Sequence, residues 1–259
     1  MLLTEHTLFG VIDYPEQAIK LLRGHEIFAL RQNPAGYYVA FSGGKDSVVA
    51  LDLVRRAGVE HTVHFHLTTV DPPELLRFIA KHYPDIKKTH PRKSMFDLIK
   101  HKNMPPTRTI RYCCAELKER SGSGRWVVTG VRRAESAKRN RRKVVESCLK
   151  NKTKFFINPI IDWSEAQVWE YIKGRNLPYC SLYDEGFQRI GCIGCPMKGQ
   201  KGMQKDFVRW PKFYAAYMRA FETIAQNRPD SWSSAQDVMD WWINERIKIE
   251  DSEQMVLFD

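Results

Sequence analysis

The residues of this 259-residue chain that could do chemistry by type and spacing fall into three groups. The first is the run Ser42-Gly43-Gly44-Lys45-Asp46-Ser47, entered from Tyr37-Tyr38-Val39-Ala40-Phe41 and left through Val48-Val49-Ala50-Leu51, Leu53 and Val54. The entry reads as a buried strand and the exit as an apolar-faced helix. A Gly-Gly turn between them bares backbone N–H groups at a helix N-terminus, where the helix dipole also favours negative charge. The hydroxyls of Ser42 and Ser47 and the cation of Lys45 complete a cradle for phosphates. The spacing is not that of a Walker A loop, which needs Gly-x-x-x-x-Gly-Lys-Ser/Thr.

The second group is the cysteines. Cys113 and Cys114 are adjacent, Cys192 and Cys195 form a Cys-x-x-Cys, and Cys148 and Cys180 stand alone. Thiolates are the usual ligands of a 4Fe-4S cluster, one per iron, and adjacent sulfurs can reach two different irons. A single zinc ion would need both to converge on one tetrahedral centre. A zinc site, disulfides and unligated thiols stay open beside the cluster. No apolar signal segment opens the chain, which predicts a cytoplasmic protein with reduced thiols. Cys148 follows a basic stretch of the kind that lowers a thiol pKa, although lone cysteines are more often packing. His64 and His66 share one face of a strand and read as ordinary satisfied polar residues.

The third group is charge. The chain carries 41 Lys and Arg against 30 Asp and Glu, a net +11. Segment 87–111 holds eight Lys/Arg against Asp97 alone, and segment 132–143 holds seven against Glu135. A nucleotide needs few cations, so this excess points to a polyanion such as tRNA or DNA, held through its phosphates. A solvated surface serving small-molecule work, and an acidic protein partner, are the other readings.

These groups need elements to hold them. The periodicity predicts an amphipathic helix over 13–32 with Ile19, Leu22 and Ile27 on one face. Strands are predicted at Tyr37–Phe41, Thr62–Leu67, Asp85–Thr89, Trp126–Thr129 and Phe155–Ile157. Helical patterns between most of them imply an α/β fold: a parallel twisted sheet with helices on both faces. The expected division is an N-terminal helical segment (1–36), a nucleotide-binding and cysteine-bearing domain (37–200) and a C-terminal helical appendage (201–259). In the appendage Phe207, Trp210, Phe213, Tyr214, Tyr217 and Phe221 recur at helical spacing and read as core rather than as a base-stacking platform. No apolar run approaches membrane-spanning length.

The Ser42–Ser47 string resembles the pyrophosphate loop (PP-loop) of the N-type ATP pyrophosphatases and of the phosphoadenylylsulfate (PAPS) reductase family. The vicinal cysteines followed by Cys-x-x-Cys resemble the cluster-binding pattern of the iron–sulfur adenylylsulfate (APS) reductases. Thr69-Val70-Asp71-Pro72-Pro73-Glu74 is similar to the family's acidic turn after its second strand. Gly130-Val131-Arg132-Arg133-Ala134-Glu135-Ser136 looks like its Gly-x-Arg-x-x-Glu-Ser segment, and Asn158-Pro159-Ile160-Ile161-Asp162-Trp163 like the stretch before the second cysteine pair. The resemblance covers about 37–197. It implies an adenine-nucleotide alpha-hydrolase-like fold that binds ATP, APS or PAPS, with magnesium offsetting the phosphate charge. It implies nucleotide contacts from Ser42, Gly43, Gly44, Lys45, Asp46, Ser47, Asp71, Gly130, Arg132 and Glu135. Lys45, Asp46 and Arg132 are the implied catalytic residues, and Cys113, Cys114, Cys192 and Cys195 the implied ligands of a 4Fe-4S cluster. The family's Glu-Cys-Gly-x-His motif is missing, and with it the thiolate nucleophile of sulfate reduction. Three functions are therefore expected to compete. One is ATP pyrophosphatase or adenylylating activity coupled to sulfur insertion into an acceptor such as nucleic acid, with a sulfur donor. The second is an APS or PAPS reductase using an external thiol and an electron-donor protein. The third is a non-catalytic nucleotide-sensing module.

Overall fold

The computed structural model describes residues 3–7, 10–119, 121–149 and 151–250; the last nine residues of the expected C-terminal appendage lie outside the described residues. Along the chain the strands are β1 (Thr4–Thr7), β2 (Gly10–Asp13), β3 (Tyr37–Ala40), β4 (His61–His66), β5 (Lys87–Thr89), β6 (Trp126–Val128), β7 (Val145–Cys148) and β8 (Asn151–Ile157). The helices are α1 (Tyr14–Gln32), α2 (Lys45–Ala57), α3 (Pro73–His82), α4 (Met95–Lys102), α5 (Tyr112–Cys114), α6 (Ala137–Asn140), α7 (Glu165–Gly174), α8 (Gly199–Arg209), α9 (Pro211–Asn227) and α10 (Ala235–Glu250). The chain forms two compact units. One comprises Met1–His66, Pro73–Thr89 and Ser121–Ile190; the other comprises Leu67–Pro72, His90–Arg120 and Gly191–Asp259.

The first unit is built on a six-stranded sheet of order β5-β4-β3-β6-β8-β7. Five strands run parallel and β7 closes one edge antiparallel to β8. The sheet is flanked by helices, as its apolar strands require: Tyr37, Val39, Val127, Val128 and Ile157 are all buried. The five parallel strands match those read from the sequence. The antiparallel pair is an addition, and it draws β8 back to Asn151 through pairing with β7. The α2 helix contributes Val48, Val49, Ala50, Leu51, Leu53 and Val54 to the core.

Before the sheet comes a feature the sequence reading lacks, the antiparallel β1–β2 hairpin. The α1 helix then starts at Tyr14 with Asp13 as its N-cap: the Asp13 side chain accepts from the Glu16 amide at 2.8 Å, with Pro15 in the first turn. Its buried face is Ala18, Ile19, Leu22 and Ala29. Ile27 is a correction, since it is 53% exposed. At ~100° per residue it points about 140° away from Leu22, whereas Ala29 returns to the same line.

The second unit is largely helical. Trp242 is buried against Phe207, Tyr217 and Phe221, and its indole N–H donates to the Pro106 carbonyl at 2.6 Å. The aromatic stripe of α8 and α9 is thus core: Phe207, Trp210, Tyr217 and Phe221 are buried, and Phe213 and Tyr214 are half-buried. Among the described residues no helix is long and apolar enough to cross a membrane.

Candidate functional site

In the sheet unit, the turn after β3 delivers Ser42–Gly44 to the N-terminus of α2, with Gly44 as its N-cap and Gly43 at φ +73°. The loop is braced from within. The Ser42 amide donates to Ser47 Oγ at 3.2 Å, Ser42 Oγ donates to the same oxygen at 3.1 Å, and Ser47 Oγ donates to the Gly44 carbonyl at 2.8 Å. The two serines thus shape the loop as well as lining it. The Lys45 amide, one of the N–H groups a helix leaves without an internal partner, donates to the Tyr183 hydroxyl at 2.8 Å.

The Lys45 side chain is buried, at 4% exposure. Its ammonium donates to the Gln188 carbonyl at 3.2 Å and lies 3.4 Å from Glu165 and 3.7 Å from Asp46. It also stands over the Tyr183 ring, 5.5 Å from its centre. Tyr183 is itself wedged edge-on against Trp169, and burial pushes its phenol pKa up.

Arg132, 3% exposed, reaches across to the loop: its Nε donates to Asp46 Oδ1 at 2.6 Å and its Nη1 to the Trp163 carbonyl at 3.3 Å. The structure thus brings Lys45, Asp46 and Arg132 into one ion-pair network, with Arg132 orienting Asp46. Glu135 accepts from the Arg132 amide and pairs with Arg139. Gly130 has a packing reason: a Cβ there would stand 2.7 Å from the backbone carbonyl of Asp46. Only glycine lets the chain after β6 approach the first turn of α2 so closely. His64 and His66 are satisfied, His64 by Thr62 and a stacked Tyr38 ring, and His66 by the Tyr38 hydroxyl.

The second unit contains Asp71 and the four paired cysteines. Asp71 is buried, and its two carboxylate oxygens accept from the amide and hydroxyl of Thr68 at 2.6 and 2.8 Å. It caps its own turn. Cys113 and Cys114 end α5, and the helix widens into a π-helical turn over Ala115–Glu119. That turn carries Lys118, whose ammonium donates to Cys192 Sγ at 3.4 Å. Arg111 donates to Cys114 Sγ at 3.3 Å, and Cys192 Sγ also meets the Thr68 hydroxyl at 3.4 Å.

The six cysteines are free thiols. The four paired ones feel one another. The bond to Cys114, burial and the neighbouring sulfurs raise the Cys113 pKa, whereas the bond from Cys113 and the nearby Arg111 lower that of Cys114. Lys118 is held protonated chiefly by the Cys192 sulfur. Among the described residues, no group of three or more His, Cys, Asp or Glu is drawn together as a single ion would need. The donor chemistry nevertheless fits a thiolate-held cluster: four half-buried thiols in one unit, with two cations to balance a multiply negative centre.

Segment 132–143 is less open than its count implies, whereas in segment 87–111 Lys87, Lys88, Arg92, Lys93, Lys100, Lys102 and Arg111 are all exposed. In segment 132–143, Arg132 is committed to Asp46, Arg133 to Asp162, Arg139 to Glu135 and Arg142 to Glu146. Exposed Lys138, Arg141 and Lys143 remain for a partner. Sequence reasoning missed Tyr183, Glu165 and Gln188 around Lys45, and Lys118, Arg111 and Thr68 around the thiols. None carries a motif, since each acts by a contact that only the fold creates.

Residues 36–198 match the family model described as the Phosphoadenosine phosphosulfate reductase domain. An uncharacterized protein of Methanocaldococcus jannaschii is 30% identical over 240 residues, 86% of this chain and 49% of that protein. An adenosine 5'-phosphosulfate reductase of Oceanobacillus iheyensis is 28% identical over 184 residues, 66% of this chain and 75% of that enzyme. The chain therefore spans about half of the first relative's length and three quarters of the second's. Among solved structures, the phosphoadenylyl-sulfate reductase of Candida auris in its phosphate complex shares the fold. It aligns with a TM-score of 0.51 at 22% identity, over 68% of this chain and 88% of that one.

Proposed function

The chain belongs to the phosphoadenosine phosphosulfate reductase family, and from that membership we propose an adenine-nucleotide enzyme of sulfur chemistry that holds ATP, APS or PAPS at the Ser42–Ser47 loop. The observation that carries this reading is the N-terminus of α2. There the Lys45 amide meets a hydroxyl oxygen, and the buried Lys45 ammonium is kept in place by Asp46, Glu165 and Gln188. Backbone donors and a fixed cation at a helix N-terminus are what phosphate oxygens need. Magnesium bound with the nucleotide would offset the remaining charge.

The favoured reaction is adenylylation of an acceptor. An acceptor oxygen bonds to the α-phosphorus, the bond to the pyrophosphate oxygen breaks, and the loop takes up the charge of the leaving group. A sulfide-level sulfur donor then attacks the acceptor atom that bears the adenylylated oxygen. The bond between that atom and the oxygen breaks and AMP leaves carrying the oxygen, so sulfur takes its place without a change of oxidation state. The placement of the spare thiols favours this over attack by the sheet unit's own cysteines. Cys180 is fully buried, with its pKa raised by burial. Cys148 pairs with Asn151 at the opposite end of the sheet from the loop-bearing end of β3. Nucleic acid, tRNA or DNA, is the proposed acceptor, with Lys138, Arg141 and Lys143 among its phosphate contacts.

Cys113, Cys114, Cys192 and Cys195 are proposed to hold a 4Fe-4S cluster, which supplies a positively polarised or redox-active centre when bound. Lys118 and Arg111 would balance the charge of its thiolates. A second reading, an APS or PAPS reductase releasing sulfite with an external thiol and electron donor, is favoured by the likeness to the Oceanobacillus iheyensis enzyme. A nucleotide-sensing module without catalysis is the third. Protein purified without oxygen and offered ATP, APS and PAPS separately decides among them. Pyrophosphate and AMP from ATP support adenylylation, sulfite from APS or PAPS supports the reductase, and binding without products supports the sensor.

A further inference from the structure

The Cys192–Cys195 turn is held by side chains from all three helices that follow it. The Ile193 amide donates to the Val70 carbonyl at 2.8 Å, and the Ile193 carbonyl accepts from the Tyr217 hydroxyl at 2.9 Å. The Gly194 amide donates to Asp206 Oδ2 at 2.9 Å. The same carboxylate takes the Lys198 ammonium at 2.8 and 2.6 Å. Gly194 sits at φ +69°, and a Cβ on it would stand 2.8 Å from Phe207 and 3.2 Å from Trp242. Thus α8 supplies Asp206 and Phe207, α9 supplies Tyr217, and α10 supplies Trp242.

Asp206 is 1% exposed and Tyr217 likewise 1%. A carboxylate out of water is unfavourable unless it is paired and hydrogen-bonded, and well-packed apolar residues often stabilise a core as much or more. Here both functions of the carboxylate are spent on the cysteine turn and on the lysine three residues beyond it. The family match ends at residue 198, just before α8 begins.

We propose that Asp206 and Tyr217 are positioning residues for the second cysteine pair, and that α8–α10 form a mould fixing the directions of the Cys192 and Cys195 thiols. Its bearing on an iron–sulfur centre rests on the cluster reading above; the placement of the thiols does not. With both carbonyl and amide of the turn anchored, the two sulfurs keep one spacing whether or not they are ligated.

The test uses Asp206→Asn, which keeps the shape and loses the charge, and Tyr217→Phe, which removes one hydroxyl. In metal-free protein prepared under reductant, iodoacetamide labelling of each cysteine is followed by mass spectrometry. Loss of one anchoring hydrogen bond should raise the labelling rate of Cys195 about fivefold, with Cys113 unchanged as internal reference. In iron-loaded protein the same variants should shift the electron paramagnetic resonance signal and the midpoint potential. Unchanged Cys195 labelling in folded variants, or equal acceleration of all four thiols, overturns the proposal. Should Asp206→Asn fail to fold, Tyr217→Phe decides alone. Selective Cys195 labelling in protein that never takes up iron upholds the positioning role and removes the cluster reading.

Discussion

The hydroxyl of Tyr183 accepts a hydrogen bond from the backbone amide of Lys45 at 2.8 Å, so a phenol oxygen stands where the first turn of α2 offers itself to an anion. Tyr183→Phe frees that donor. A neutral hydrogen bond is worth about 1 kcal/mol net, so the variant should lose roughly that much stability and bind inorganic pyrophosphate about fivefold more tightly, read by calorimetry. Weaker binding would instead make the hydroxyl a ligand of the anion. Lys45→Ala is the control, expected to weaken nucleotide binding about ten- to a hundredfold through loss of a charge-assisted contact.

Gly44 of the loop differs from Gly130. A side chain at Gly130 meets backbone atoms of Asp46 at 2.7 Å, whereas one at Gly44 meets only Ser42 Oγ and the Tyr183 hydroxyl at 3.5 Å. Gly130→Ala should cost about 1–3 kcal/mol in urea denaturation, because backbone cannot step aside cheaply. Gly44→Ala should stay within about 1 kcal/mol of the parent.

His64 gives the sheet a pH dependence. Burial, then the cations Lys87 and Arg125 and the neighbouring His66, press its pKa down to about 4. In the unfolded chain the imidazole titrates near 6.5. Above that value both states are neutral and its contribution is complete. As pH falls from about 6.5 towards 4 the unfolded state takes up a proton that the folded state refuses, so stability is lost. His64→Gln should flatten the fall in unfolding free energy between pH 7 and 4.5. An identical slope in parent and variant would place the titration elsewhere.

Lys138, Arg141 and Lys143 are exposed, unlike the paired arginines around them. Changing all three to glutamine should weaken tRNA or duplex DNA binding alike across sequences and reduce its salt slope by about 2–3. Nucleotide binding at the loop should hardly change. Loss of APS binding with no nucleic-acid affinity in the parent would assign the charge to the small substrate.

Much of this architecture is legible in the residues. The central strands β3 and β6 show because buried strands flanked by helices are near-continuous apolar runs, whereas β5, Lys87-Lys88-Thr89, is exposed and carries no such signal. The Ser42–Ser47 turn shows because its residue types answer to local backbone geometry. What stays hidden depends on distant contacts. The β7 strand is four residues, Val145-Glu146-Ser147-Cys148, with no alternation to mark it. Ile27 looks apolar enough to bury, yet Ala29 is the position that falls in line with Leu22 and is buried in its place. The charge of segment 132–143 is visible, but its neutralisation by Asp46, Asp162, Glu135 and Glu146 is not.

The path of the chain has a consequence for how such a protein can be inherited. The backbone leaves the sheet unit after His66, returns at Pro73, leaves again after Thr89, returns at Ser121 and departs finally after Ile190. No single breakpoint in the gene separates the phosphate loop's unit from the thiols' unit. Neither unit is one contiguous cassette, and a ribosome cannot finish the sheet before it has made two stretches of its companion. A crossover at any one point between His66 and Ile190 would divide the sheet unit.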